Sequence, residues 1–168
     1  MTKILSKVDF TSAIDALPLV SVDLCIVCDD LLLLGERNNK PAKGFLFTPG
    51  GRIRKNETWE AALTRIVKDE LGLKKDFPTK KTLMGIWDHF YHDSAFSDDV
   101  STHYVNLPFL FDISAEQKDQ FSLLTGDDLQ HKRWVWLELK LASVTQDVHP
   151  YARNYANWIL SKSKDSLN

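Results

Sequence analysis

Gly50–Leu73 reads GGRIRKNETWEAALTRIVKDELGL, and its second half has the period of a helix. Trp59, Ala62, Leu63, Ile66 and Val67 fall on one apolar stripe at core-facing spacing. The spacing predicts a helix from Trp59 to Leu71, capped at its start by Asn56 or Thr58, with Gly72 just past its end. Glu70 follows Ile66 by four residues and Val67 by three, so it continues the stripe. An unpaired buried carboxylate costs several kcal/mol or takes up a proton, so Glu70 needs a partner. Arg65 stands within reach of Glu57 or of Asp69, and is read as structural. Ahead of the helix, two glycines after Pro49 allow a sharp loop whose backbone approaches a ligand.

Working outward, FTSAIDAL (10–17) reads as a short amphipathic helix stopped by Pro18. VSVDLCIV and LLLLGER read as strands joined by a polar Asp-Asp turn, and GFLF as a short strand into the glycine loop. LMGIWDHFYH and HYVNLPFLFDI read as strands flanking the polar loop DSAFSDDVS, and HKRWVWLEL as another. Tyr151, Tyr155, Trp158 and Ile159 have helical spacing and predict a terminal helix packed on the domain. Strands, a long central helix, strands again and a last helix predict an α/β fold, a mixed sheet with helices on both faces.

The bulk properties exclude several functions. The chain has 168 residues, 43% of them hydrophobic and 26% charged, which suits one soluble domain over 1–168. Lys and Arg number 21 against 23 Asp and Glu, a formal net charge of −2. That balance gives no general pull toward nucleic acid or an anionic membrane, so any phosphate binding must be local. MTKILSKVDF holds no apolar run long enough for a signal peptide, and no segment is long enough to span a bilayer, so a cytoplasmic location is expected. Cys25 and Cys28 have C-x-x-C spacing, but zinc needs four ligands and no second cysteine pair exists. On a strand the two thiols point to opposite faces and are read as buried or edge groups.

The segment from Gly51 resembles the Nudix box, a glycine, five residues, a glutamate, seven residues, then R-E-U-x-E-E-x-G-U with U a bulky aliphatic. Gly51, Glu57, Arg65, Val67, Glu70, Gly72 and Leu73 match. Ile66 replaces the first helix glutamate and Asp69 the next-to-last. Ordinary Nudix pyrophosphohydrolases use several of these carboxylates to hold two or more divalent ions for attack at phosphorus. With fewer carboxylates, one Mg²⁺ is expected. PLVSVDLCIV, LLLLGERNNKPAKGFLFTPGGR, GIWDHFYHD, STHYV and LQHKRW, spread over about Asp9 to Trp136, look like the GDP-mannose mannosyl hydrolases, an atypical Nudix branch with the same change at the Ile66 position.

That resemblance implies a Nudix-type α/β/α sandwich around a mixed sheet and a central Nudix helix. It implies hydrolysis of GDP-mannose, and of GDP-glucose, to GDP and free sugar, with water attacking the anomeric carbon and inverting it. It further implies Mg²⁺ on the Gly50 carbonyl, Glu70 and Gln130, with His131 as general base, a role that suits a histidine near neutral pH. Arg37 and Arg52 match phosphate-binding arginines, Asp23 and His89 residues near the sugar, and Tyr104 one near the diphosphate, while Asp9 is placed at the nucleotide. LTGDD precedes Gln130-His131, and its small and acidic residues predict a loop that closes on substrate. His92, His103 and His149 have no role in this reading. A homodimer is implied. Two rivals stand: a conventional Nudix pyrophosphohydrolase acting at phosphorus, and a non-catalytic nucleotide-sugar binding domain.

Overall fold

The strand VSVDLCIV becomes the spine of the molecule. The computed structural model describes residues 5–73, 80–95, 97–126 and 128–165. In chain order its elements are α1 (Lys7–Ala16), β1 (Leu19–Cys28), β2 (Leu31–Arg37), β3 (Leu46–Phe47), β4 (Gly50–Arg52), α2 (Trp59–Leu71), β5 (Thr82–Leu83), β6 (Trp87–Tyr91), β7 (Thr102–Asp112), α3 (Ala115–Lys118), β8 (His131–Glu138), α4 (Leu139–Ala142) and α5 (Pro150–Asp165). β1 runs parallel to β7 from Leu19↔Tyr104 to Val27↔Asp112, and every other strand pair among the described residues is antiparallel. The sheet order is β3-β2-β1-β7-β5, with β8 on β2, β4 on β1 and β6 on β7.

Strand alternation divides β1 between two cores. Cys25 and Val27 join Leu32, Leu34 and the buried side chains of α4 and α5 on one face. Val22, Leu24, Ile26 and Cys28 join Leu33 and the apolar stripe of α2 on the other. The two free thiols are buried, one in each core. This is the expected α/β mixed sheet with helices on both faces. Among the described residues no helix is long and apolar enough to cross a membrane.

α2 has the predicted bounds. Thr58 is its N-cap, its side chain accepting from the Ala61 amide at 3.2 Å, and Gly72 ends it in the left-handed conformation at φ 66°. Other boundaries moved. α1 starts at Lys7 because the Ser6 side chain accepts from the Asp9 amide and sets the first turn. The single strand expected over LMGIWDHFYH is two. Leu83 pairs with Phe109 but Trp87 with Asn106, so one residue is surplus, and Gly85 at φ 137° lies in the gap. β8 ends at Glu138, since Leu139 turns into α4 and donates its amide to the Asp30 carbonyl. Phe96 and Asp127, in the two polar loops, lie outside the described residues.

Candidate functional site

Two adjoining cavities, of about 520 and 370 Å³, open beside the glycine loop and share Gly50, Gly51, Arg52 and Gln130 as walls. Asp23, Arg37, His89 and Tyr104 line the first, and Asp69, Glu70 and His131 the second. The structure thus brings together the residues expected at the site, except Asp9. That residue sits on exposed α1, hydrogen-bonded to Ser6, and lines neither cavity. Its neighbour Phe10 does reach the site, with its ring 4.2 Å from the Arg52 guanidinium.

The partner that Glu70 requires is His131. The imidazole Nε2 lies 2.9 Å from Glu70 Oε2, and both side chains are buried. Nδ1 of the same ring is buried and has no hydrogen-bond partner among the described residues, an arrangement that costs roughly 1–3 kcal/mol. The ring occupies space that Gly35 leaves open: a Cβ there would stand 2.3 Å from Nδ1. Trp134 covers the ring at 4.2 Å and donates its indole N–H to the Leu124 carbonyl. Here His131, the first residue of β8, is stowed in the wall.

Arg37 Nη1 donates to Gln130 Oε1 at 2.8 Å. Asn38 fastens the same loop, its side chain donating to the carbonyls of Gly126 and Leu129 and its amide to that of Gln130. Ile66 is buried beneath the glycine loop, 3.5 Å from where a Cβ on Gly51 would stand. Asp69 on the same helix is exposed. Arg65 grips Glu57 through two hydrogen bonds, of 2.7 and 2.9 Å, and also donates to the Arg52 carbonyl. This brace ties the glycine loop to α2 and holds the Glu57 carboxyl down to about 2, chiefly through the Arg65 hydrogen bond. Burial lowers the pKa of Arg52 and raises that of Tyr104.

Asp23 belongs to a buried network. Asn106 Nδ2 and the Tyr155 hydroxyl both donate to Asp23 Oδ2 at 2.8 Å, and Ser21 Oγ donates to Asn106 Oδ1 at 2.7 Å. His89 Nε2 lies 3.0 Å from the Tyr155 oxygen. Burial lifts the Asp23 carboxyl to about 7 against the pull of these donors and of Arg37. Burial also pushes His89 down to about 3, so its ring is neutral. A Cβ at position 50 would meet Asp23 Oδ1 at 2.1 Å, which explains glycine there. Sequence reading missed Asn106 and Tyr155 as site residues. A lone asparagine inside the apolar run HYVNLPFLF was a usable signal, since a buried amide needs partners. Tyr155 gave none, because its ring alone satisfied the helical spacing.

Among the described residues no three His, Cys, Asp or Glu side chains gather as a metal site. The donor chemistry nevertheless fits Mg²⁺. Gly50, Glu70 and Gln130 line one cavity and offer a carboxylate with neutral oxygens, a set that leaves room for waters and phosphate oxygens. In this structure His131 engages the carboxylate of Glu70 and Arg37 the amide of Gln130.

A family model described as NUDIX domain matches residues 18–159. The chain is 35% identical over 139 residues to the low-salt glycan biosynthesis protein Agl8 of Haloferax volcanii, covering 82% of this chain and 80% of that one. It is 30% identical over 141 residues to an ADP-ribose pyrophosphatase of Methanocaldococcus jannaschii, covering 84% and 75%. Among solved structures, a MutT NUDIX hydrolase from Burkholderia pseudomallei superposes with a TM-score of 0.66 at 24% identity, over 85% of this chain and 98% of that one. The NUDIX domain of Shewanella oneidensis NrtR, complexed with ADP ribose, superposes at 0.60 with 16% identity, over 98% and 100%.

Proposed function

The chain belongs to the Nudix family, and from that membership we propose that it hydrolyses GDP-mannose, and GDP-glucose, to GDP and free sugar, with water attacking the anomeric carbon and inverting it. One observation carries the reading. The box helix turns a single buried carboxylate, Glu70, toward the cavity, and buried Ile66 fills the position of another. With Ile66 in place of a carboxylate and Asp69 exposed, that helix offers fewer buried ligands for multi-metal attack at phosphorus. The match to a glycan biosynthesis protein supports a sugar-bearing substrate.

Gly50, Glu70 and Gln130 would hold Mg²⁺, which when bound supplies Lewis-acid neutralisation of the departing diphosphate. Arg37 and Arg52, on the walls of the first cavity, present guanidinium forks to the phosphate oxygens and stabilise charge as it develops there. Asp23 and His89 face the sugar, and Tyr104 the diphosphate. His131 takes the proton of the attacking water at a ring nitrogen, which requires it to leave Glu70 and its berth against Gly35. Asp9 remains at most a peripheral contact of the nucleotide. The protein is proposed to act in the cytoplasm as a homodimer of single-domain subunits, a state that light scattering tests.

The pyrophosphatase relative favours a second reading, attack at phosphorus of a nucleotide-sugar. Hydrolysis in ¹⁸O-labelled water with Mg²⁺ separates the two. Label in the free sugar and none in GDP is the expected result. Label in a phosphate product would replace the first reading with the second, and no turnover of any nucleotide-sugar would leave a binding domain.

A further inference from the structure

Among the described residues Tyr155 is the largest fully buried side chain, carried on α5 far from the box in sequence, yet its hydroxyl touches three polar groups. These are Asp23 Oδ2, His89 Nε2 and Asn106 Nδ2. A phenol has one proton to give and two lone pairs to fill. Where Asp23 is ionised its carboxylate only accepts, so the proton goes to Asp23. The amide nitrogen of Asn106 only donates, so it fills one lone pair. The second is left for His89, which must therefore donate from Nε2.

We propose that Tyr155 is a positioning residue that fixes His89 in its Nε2–H form and so presents His89 Nδ1 and Asp23 as paired hydrogen-bond acceptors to the hydroxyls of the bound sugar. The substrate half of this rests on the function proposed above. Rigid packing keeps the assignment in place. The His89 ring stacks on Tyr151 at 3.9 Å and 5°, and Phe47 meets it edge-on. The Tyr151 hydroxyl is itself tied to the backbone N–H and carbonyl of Phe90. Asp23 and His89 both line the first cavity, and sugar hydroxyls are donors, so two preset acceptors suit a polyol. Burial keeps Tyr155 protonated and His89 neutral.

The test is a long-range ¹H–¹⁵N correlation of the His89 ring, recorded at alkaline pH, where carboxylates are ionised. The wild type is expected to show Nε2–H alone, and Tyr155→Phe a shift toward Nδ1–H. An Nδ1–H ring in the wild type, or the same tautomer in both proteins, would overturn the assignment. The wild-type spectrum decides this even if the variant folds poorly. In turnover, Tyr155→Phe is expected to lower kcat/KM for the GDP-sugar about tenfold while inhibition by GDP alone changes less than about twofold. Equal loss for both ligands, or for neither, would leave Tyr155 only structural. Absence of GDP-sugar turnover in the wild type would reject the substrate reading, a failure the tautomer spectrum does not share.

Discussion

Glu70 and His131 illustrate what a single residue discloses. The period of the helix revealed that Glu70 is buried, because burial follows from local spacing. Its partner stands 61 residues away, on a strand whose register no local pattern encodes, so the pairing was not legible. Replacing Glu70 with Gln keeps a hydrogen-bonding group beside His131 but removes the anionic oxygen. The expected result is a loss of Mg²⁺-dependent turnover of at least about 100-fold with little change in the unfolding midpoint, measured as GDP release and by urea titration. Gly35→Ala tests the berth of the ring. A methyl group there collides with His131, and the expected destabilisation is about 1–3 kcal/mol. The same substitution in a His131→Ala background should cost distinctly less, because the obstacle is gone.

Among the elements, α2 was the most legible, since cap, stripe and terminating glycine agreed on its limits. The expected strand over LMGIWDHFYH divided because its surplus residue exists only relative to β7, a partner unknown when the strand is read alone. The short α3 and α4 escaped because one helical turn has no measurable period. The Glu57–Arg65 brace makes a prediction about pH. The Glu57 carboxyl titrates at about 2 in the folded chain against an ordinary 4.5. A depressed acid stabilises fully above its unfolded value, and that contribution fades as pH falls from about 4.5 through about 2. Glu57→Gln should therefore lower stability at neutral pH by about 1–3 kcal/mol and flatten the acid limb of the stability curve, read by thermal melts across that window.

Across the whole molecule, the order of elements announced a mixed sheet between helical layers, because apolar strands and amphipathic helices have few ways to cover one another. The meeting of the two cavities at Gly50–Arg52 was not announced, since it depends on β4 pairing with the first half of β1. The proposed metal links this architecture to stability. Mg²⁺ at a hundredfold excess over its Kd should raise the unfolding free energy of the wild type by about 2.7 kcal/mol and leave Glu70→Ala unmoved. Chelation should return the wild-type midpoint to its starting value.

The parallel pairing of β1 with β7 also bears on how the chain is born. Ser21 and Asn106, opposite one another in that pairing, are separated by 85 positions. At a synthesis rate of about 5–20 residues per second, β1 waits roughly 4–17 seconds after leaving the ribosome before β7 exists. β2 pairs with its last two residues almost at once and β4 with Ser21–Asp23 soon after, but the other edge stays bare, on an apolar strand with two unoxidised thiols. Slower translation lengthens that wait, so the yield of folded protein is expected to fall when the second half of the message is read more slowly.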